Sequence, residues 1–202
     1  MFWLSSADET APALPAAWLI GTGEQPRNLP ERSLLRQAVA RRVLARQLGL
    51  PEHAVALAHE PAGRPLIAAP RGAGIWLSLA TRAGLVAVGL AHGPVGVDVE
   101  QIVPGGEAAL DLLHPQERRM LQSLPHAARP VRFAQLWSAK EAYVKALGTG
   151  FARAPESFRI VLDDAGGFTV RDPGRDGTAT GQSRIIENGG HEGMAAAFVV
   201  IG

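Results

Sequence analysis

The chain has no cysteine, a single tyrosine and an aromatic content of only 5%. Disulfides, zinc-thiolate sites and thiol nucleophiles are therefore excluded. It also lacks an excess of either charge: 20 basic residues stand against 19 acidic ones, for a net charge of +1, so no global field argues for nucleic acid or a membrane surface. No apolar run approaches the ~18 residues of a membrane span, and residues 1–10 contain no basic residue of a signal n-region. A cytoplasmic protein is the expectation. P-loop and dinucleotide glycine fingerprints are missing. No G-x-S-x-G elbow surrounds Ser78, and the six histidines show no ligand spacing. What is present is apolar material: 47% of the 202 residues are hydrophobic, enough for one large or two small domains.

The most organised stretch is Trp137 to Gly150, W-S-A-K-E-A-Y-V-K-A-L-G-T-G. At about 100° per residue, Phe133, Leu136, Trp137, Val144 and Leu147 gather on one side of a helix and Ala139, Ala142 and Ala146 on another. A narrow polar strip of Ser138, Glu141 and Lys145 runs between them and is the expected working edge. The alternative is a solvated Glu-Lys pair. Lys140 falls within the apolar stripe, where a charge calls for an anionic partner or a snorkelling stem. Gly148 supplies the left-handed stop, and Thr149-Gly150 leads into a turn.

Elsewhere, Phe2 to Leu4 reads as a short strand and Glu31 to Leu48 as an amphipathic helix with arginines at 32, 36, 41, 42 and 46, closed by Gly49 and Pro51. Val55 to Leu57 reads as a short strand and Ile75 to Leu79 as a short apolar segment, and 61–65 is a turn. Leu85 to Leu90 reads as a buried strand after an Ala83-Gly84 turn, and Gly93-Pro94 predicts a hairpin into Val95 to Ile102. Leu110 to Leu124 is predicted helical, 158–162 and 167–170 extended, 172–192 a glycine-rich loop, and Met194 to Ile201 a closing strand. A weak repeat is visible: each half has a helix ending in Leu-Gly, then a short strand, then a Gly-led apolar strand. The expectation is an α+β fold of two similar halves, 1–94 and 95–202, related by a pseudo-twofold with the active groove at their interface.

Val95-Gly-Val-Asp-Val-Glu100 alternates strictly. On a strand, Val97 and Val99 face the core while Asp98 and Glu100 project together, their Cα atoms roughly 7 Å apart from a rise of about 3.4 Å per residue. Two such carboxylates can converge on a hard cation such as Mg²⁺, or form the wet face of an edge strand.

G-V-D-V-E at 96 to 100, followed some forty residues later by W-S-A-K-E-A-Y-V-K, resembles the 4′-phosphopantetheinyl transferases of the type that activates non-ribosomal peptide and polyketide synthetases. Arg32-Ser33-Leu-Leu resembles the family's basic-hydroxyl segment, Gly63-Arg64-Pro65 its G-K-P turn, and Leu113-His-Pro-Gln-Glu117 the segment past the metal motif. Where the family usually reads F-N-x-S-H-S, this chain has Ile75-Trp-Leu-Ser-Leu-Ala80, so Leu79 stands in place of a histidine that helps hold the 3′-phosphate of coenzyme A. Arg82 or Arg71 could compensate.

The resemblance implies Mg²⁺-dependent transfer of 4′-phosphopantetheine from coenzyme A to a serine of an apo acyl or peptidyl carrier protein, releasing 3′,5′-ADP. It implies Asp98, Glu100 and Glu141 as the metal set, with Glu141, Lys145 and Asp98 catalytic and Glu141 the base for the serine proton, directly or through a metal-bound water. Arg32, Ser33, Arg64, Ser78, Lys140 and Lys145 would bind coenzyme A, Lys140 meeting either phosphate or an internal acid. Arg118, Arg119, Arg129 and Arg132, beside Leu112, Leu113 and Met120, would dock an acidic carrier. A pseudo-dimeric monomer that binds neither nucleic acid nor membrane is the expected form. Two alternatives stand beside this: a non-catalytic relative that binds carrier protein or coenzyme A without transfer, and another Mg²⁺-dependent phosphoryl or nucleotidyl enzyme.

Overall fold

The computed structural model describes residues 1–61, 63–104, 109–149, 152–188 and 191–202. The turn expected at Gly150 lies outside them. Two long helices dominate. Helix α1 (Leu29–Leu48) begins where Asn28 accepts a hydrogen bond from the Glu31 amide, and ends where Gly49 adopts φ 66°. Helix α3 (Arg129–Leu147) ends in the same way at Gly148, φ 69°, whose amide donates back to the carbonyls of Val144 and Lys145. Both stops need a residue free of the Cβ penalty for left-handed backbone.

The strands form two main sheets. The first joins β1 (Phe2–Leu4), β2 (Ala16–Gly21), β5 (Trp76–Arg82) and β6 (Leu85–Ala91) in the order β1-β2-β6-β5. The second is an antiparallel sheet of β7 (Val95–Gln101), β8 (Arg159–Leu162), β9 (Gly167–Arg171), β10 (Ala179–Asn188) and β11 (His191–Ile201), in the order β7-β11-β10-β9-β8. A separate two-stranded ribbon pairs β3 (Ala56–His59) with β4 (Pro65–Ala69). This is a mixed α+β architecture.

Three apolar clusters order these parts. Trp18, Leu77, Leu79, Val86, Val88 and Leu90 of the first sheet pack with Leu35, Val43 and Leu44 of α1. The alternate residues of that sheet, among them Ala17, Ala80 and Ala87, meet Val95, Val97, Val99 and Phe198 of the second. Leu136, Ala139, Tyr143 and Ala146 of α3 cover the second sheet's other face through Phe158, Phe168, Ala197 and Val199. The helices thus flank the paired sheets, and period-2 alternation in each strand decides which layer its side chains enter.

Three sequence expectations are corrected. Gly93-Pro94 does not close a hairpin: β6 pairs with β5 through the two-residue Ala83-Gly84 turn, both at positive φ, while β7 crosses into the other sheet. Positive φ at both central residues matches the right-handed twist of a hairpin. Residues 179–188 are a strand rather than loop, because Gly181 lies under the Phe168 ring and the Phe198 carbonyl, where any side chain would collide. The predicted 110–124 helix is a 3₁₀ turn at Leu110–Leu112 followed by α2 (Pro115–Ser123). His114 and Glu117 form a reciprocal capping box there, with Pro115 fixing the first helical position.

Candidate active site

Gly96 sets the geometry. A Cβ on it would overlap the Ala142 carbonyl oxygen and come within 2.9 Å of the Ala146 nitrogen, so only glycine lets α3 lie directly on β7. That close approach brings Lys145 to the strand. Its Nζ donates to the Asp98 carboxylate at 2.6 Å and to the Val97 carbonyl at 3.2 Å. On the same free edge, away from β11, the Val97 amide donates to Ser78 Oγ of β5 at 3.0 Å. The free edge of β7 is thereby satisfied at Val97 by Ser78 from β5 and Lys145 from α3, which ties the two sheets at the site.

Asp98 is nearly buried, and its Oδ2 has no hydrogen-bond partner. Burial pushes its carboxyl up, against the opposing pull of Lys145. Glu100, two residues on, is pushed up to about 7 by burial and by the Asp98 charge, with Arg82 at 3.6 Å opposing. Glu141 is raised by burial and again by Asp98. The three carboxylates expected as a metal set therefore sense one another electrostatically across β7 and α3, which is the arrangement that a multivalent cation relieves. As oriented, no three acidic or imidazole side chains among the described residues converge to enclose a metal ion. The orphaned Asp98 Oδ2 and the all-carboxylate donor set suit a hard cation that completes its shell with water and substrate oxygens.

A cavity of about 260 Å³ opens beside this cluster. Arg36 of α1, His59, Gly63, Arg64 and Pro65 of the β3–β4 ribbon, and Leu77, Ser78 and Leu79 of β5 line it from residues before Pro94; Glu141, Val144, Lys145 and Gly148 of α3 line it from beyond. Arg64 spans the two: its Nε binds Glu60 at 3.1 Å, its guanidinium lies 4.9 Å from the Trp76 ring centroid, and its terminal nitrogens crowd Gly148 at the C-terminus of α3. A cation is favoured at that negative helix end.

Among the residues expected from the sequence, Arg64, Ser78, Glu141 and Lys145 line the cavity, with Asp98 held by Lys145. Arg32 and Ser33 do not; Arg32 is exposed, and Arg36 one turn later takes the cavity position. The arginine run gave no phase by itself, since several of its members could face any ligand. Ser138 is fully buried and donates to the Gln135 carbonyl, so it leaves the working edge. Arg71 is exposed in the β4–β5 loop and Arg82 pairs with Glu100; neither is among the residues that line the cavity.

Lys140, expected among the coenzyme A contacts or against an internal acid, takes the second course. Its side chain is 0% exposed, and its ammonium donates to Glu117 at 2.9 Å and to the Pro155 and Phe158 carbonyls, both at 2.8 Å. All three of its donors are used. Glu117 in turn accepts from the His114 and Ile160 amides, so the pair staples α2, α3 and β8. On the expected docking face, Leu113 is buried and Arg129 is spent on the Gln122 and Leu124 carbonyls. Arg119, Leu112 and Val131 stay exposed. No helix among the described residues is long and apolar enough to cross a membrane.

Residues 94–199 match the model of the 4′-phosphopantetheinyl transferase superfamily. A Synechocystis sp. protein bearing that transferase designation is 32% identical over 126 residues, 60% of this chain and 51% of its own length. The Nostoc sp. 4′-phosphopantetheinyl transferase HetI is 29% identical over 172 residues, 82% of this chain and 69% of its own. Among solved structures, the Chronobacterium ammoniagenes ACPS–CoA complex is 20% identical, covers 54% of this chain and 96% of that one, and has a TM-score of 0.38. The chain thus spans from about half to about two-thirds of the length of these curated relatives. The matched region runs from β7 through α3 to β11, which carries Asp98, Glu100, Glu141 and Lys145, and on that match the chain belongs to the 4′-phosphopantetheinyl transferase superfamily.

Proposed function

We propose that the protein transfers 4′-phosphopantetheine from coenzyme A to a serine of an apo acyl or peptidyl carrier protein. The serine Oγ attacks the pantetheine-bearing phosphorus, the bond to the bridging pyrophosphate oxygen breaks, and 3′,5′-ADP leaves with the electron pair. The observation that carries this reading is Lys145 bridging Val97 and Asp98 at the edge of a cavity that Glu141 also lines. Lys145 neutralises charge on the transferring phosphoryl group. Glu141, with its carboxyl raised by burial and by Asp98, accepts the serine proton. Asp98, Glu100 and Glu141 would hold Mg²⁺, which supplies further charge neutralisation on the pyrophosphate when bound. The halves 1–94 and 95–202 then divide the work, coenzyme A lying along the first and the reacting groups on the second.

Mass spectrometry of an apo carrier incubated with coenzyme A, Mg²⁺ and the protein tests this. The expected result is a gain of one phosphopantetheine that Glu141→Gln slows by about 10²- to 10⁴-fold. Leu79, buried among α1 contacts with no hydrogen-bonding capacity, favours one other reading, a relative that binds without transferring. Binding of coenzyme A without any holo product from several carriers would establish that reading instead.

A further inference from the structure

Two cations of the chain meet the carboxylates on β7, and they are held differently. Lys145 donates to Asp98 at 2.6 Å and to the Val97 carbonyl at 3.2 Å, and it lines the cavity. Arg82 stands 3.6 Å from Glu100, an ion pair too long for a hydrogen bond, with its side chain 49% exposed and outside the cavity lining. Among the described residues, Glu100 has no other ion-pair partner. The backbone beneath Arg82 is fixed. Arg82 is the last residue of β5 and pairs with Leu85 across the Ala83-Gly84 turn. That turn is clamped from outside: the Thr22 amide and hydroxyl both donate to the Gly84 carbonyl, at 2.9 and 2.7 Å, and a Cβ on Gly84 would lie 2.5 Å from the Glu24 carbonyl oxygen. A guanidinium on a long stem therefore reaches Glu100 from a rigid base, and it leaves by side-chain rotation alone. Charge balance gives that rotation a consequence. With Arg82 in place, three ionised carboxylates and two side-chain cations leave one negative charge; with Arg82 turned to solvent they leave two, the charge that matches a divalent ion.

We infer that Arg82 is an internal counter-ion that competes with the divalent cation for Glu100 and so sets how much metal the site requires. The inference rests on the transferase reading, in which Asp98, Glu100 and Glu141 hold Mg²⁺. Arg82 acts through Glu100 and touches neither substrate nor the reacting atoms. Lys145 cannot serve the same purpose, because its two hydrogen bonds tie it to the strand.

Titration of the full chain with Mn²⁺ alone, read by the electron paramagnetic resonance of the free ion and with no coenzyme A present, tests it without turnover. Above pH 7, on the alkaline side of the Glu100 titration, Arg82→Gln should bind Mn²⁺ about 3- to 10-fold more tightly than wild type, the scale of one half-exposed charge acting on a divalent ion across a screened gap. Arg82→Lys keeps the charge and should stay near wild type. Arg41→Gln, which removes a guanidinium that reaches only the Gln37 carbonyl of its own helix, should leave the affinity unchanged. In a Glu100→Gln background the gain from Arg82→Gln should vanish, since the competition is for that carboxylate. An unchanged or weaker affinity in Arg82→Gln, a gain of the same size in the Glu100→Gln background, or no Mn²⁺ binding by any of these proteins overturns the inference. The two readings fail separately. If Arg82→Gln tightens Mn²⁺ binding but no carrier is modified, Arg82 stands and the transfer reading falls. If wild type forms holo carrier but Arg82→Gln leaves Mn²⁺ affinity unchanged, transfer stands and Arg82 falls.

Discussion

Replacing Lys140 by methionine separates two roles that the sequence left open. The change removes an ammonium that is 0% exposed and that meets Glu117 and the carbonyls of Pro155 and Phe158, and it strands a carboxylate that is only 1% exposed. Glu117 would keep the amides of His114 and Ile160 but lose its counter-charge. Breaking one side of a buried pair costs about 3–5 kcal/mol, and at ~2–4 °C per kcal/mol for a chain of this size the melting temperature should fall by about 6–20 °C. Glu117→Gln combined with Lys140→Met leaves no stranded charge, so the double variant should be more stable than the sum of the single losses. Thermal melts of the four proteins give the coupling. At a temperature where Lys140→Met is still folded, its KM for coenzyme A should stay within about twofold of wild type, because the ammonium does not reach the cavity. A melting shift under 2 °C together with a large rise in KM would refute the internal staple and return Lys140 to the cofactor.

Gly96→Ala should lower stability by about 1–3 kcal/mol or more and reduce transfer, since α3 must lift off β7 and carry Lys145 from Asp98. Gly21→Ala, with nothing within 4 Å, is the matching control in melts and turnover assays. In metal-free protein, Glu100 is raised from 4.5 to about 7, so its contribution to stability is complete below about 4.5 and lost as pH rises through 7. Asp98 and Glu141 shift in the same direction. Melting temperature should therefore drop across that window, Glu100→Gln should flatten the drop, and Mg²⁺ should raise the melting point on its alkaline side. Charge reversal at Arg118 and Arg119 should raise KM for an acidic carrier with kcat held; an unchanged KM would remove that face from docking.

Local patterns were legible because their causes are local. Alternation in Val95 to Glu100 placed valines on one face and carboxylates on the other, as the pleat requires, and the helical period with Gly49 and Gly148 gave the two long helices their ends within a few residues. The motif pair also pointed to the family that the match over residues 94–199 shows. What tertiary structure decided were matters of partner and phase. Gly93-Pro94 reads as a reversal whether the next strand pairs with the last or crosses to another sheet, because a turn specifies direction and not a partner. Gly181 reads as loop until the Phe168 ring that needs its missing side chain is in place. Lys140 announced that it needed an anion, but Glu117 lies on another helix and reaches it only once α2, α3 and β8 pack together. Arg32 and Arg36 stand a single turn apart on one arginine-rich helix, and only the packing of that helix against the first sheet decides which of them meets the cavity.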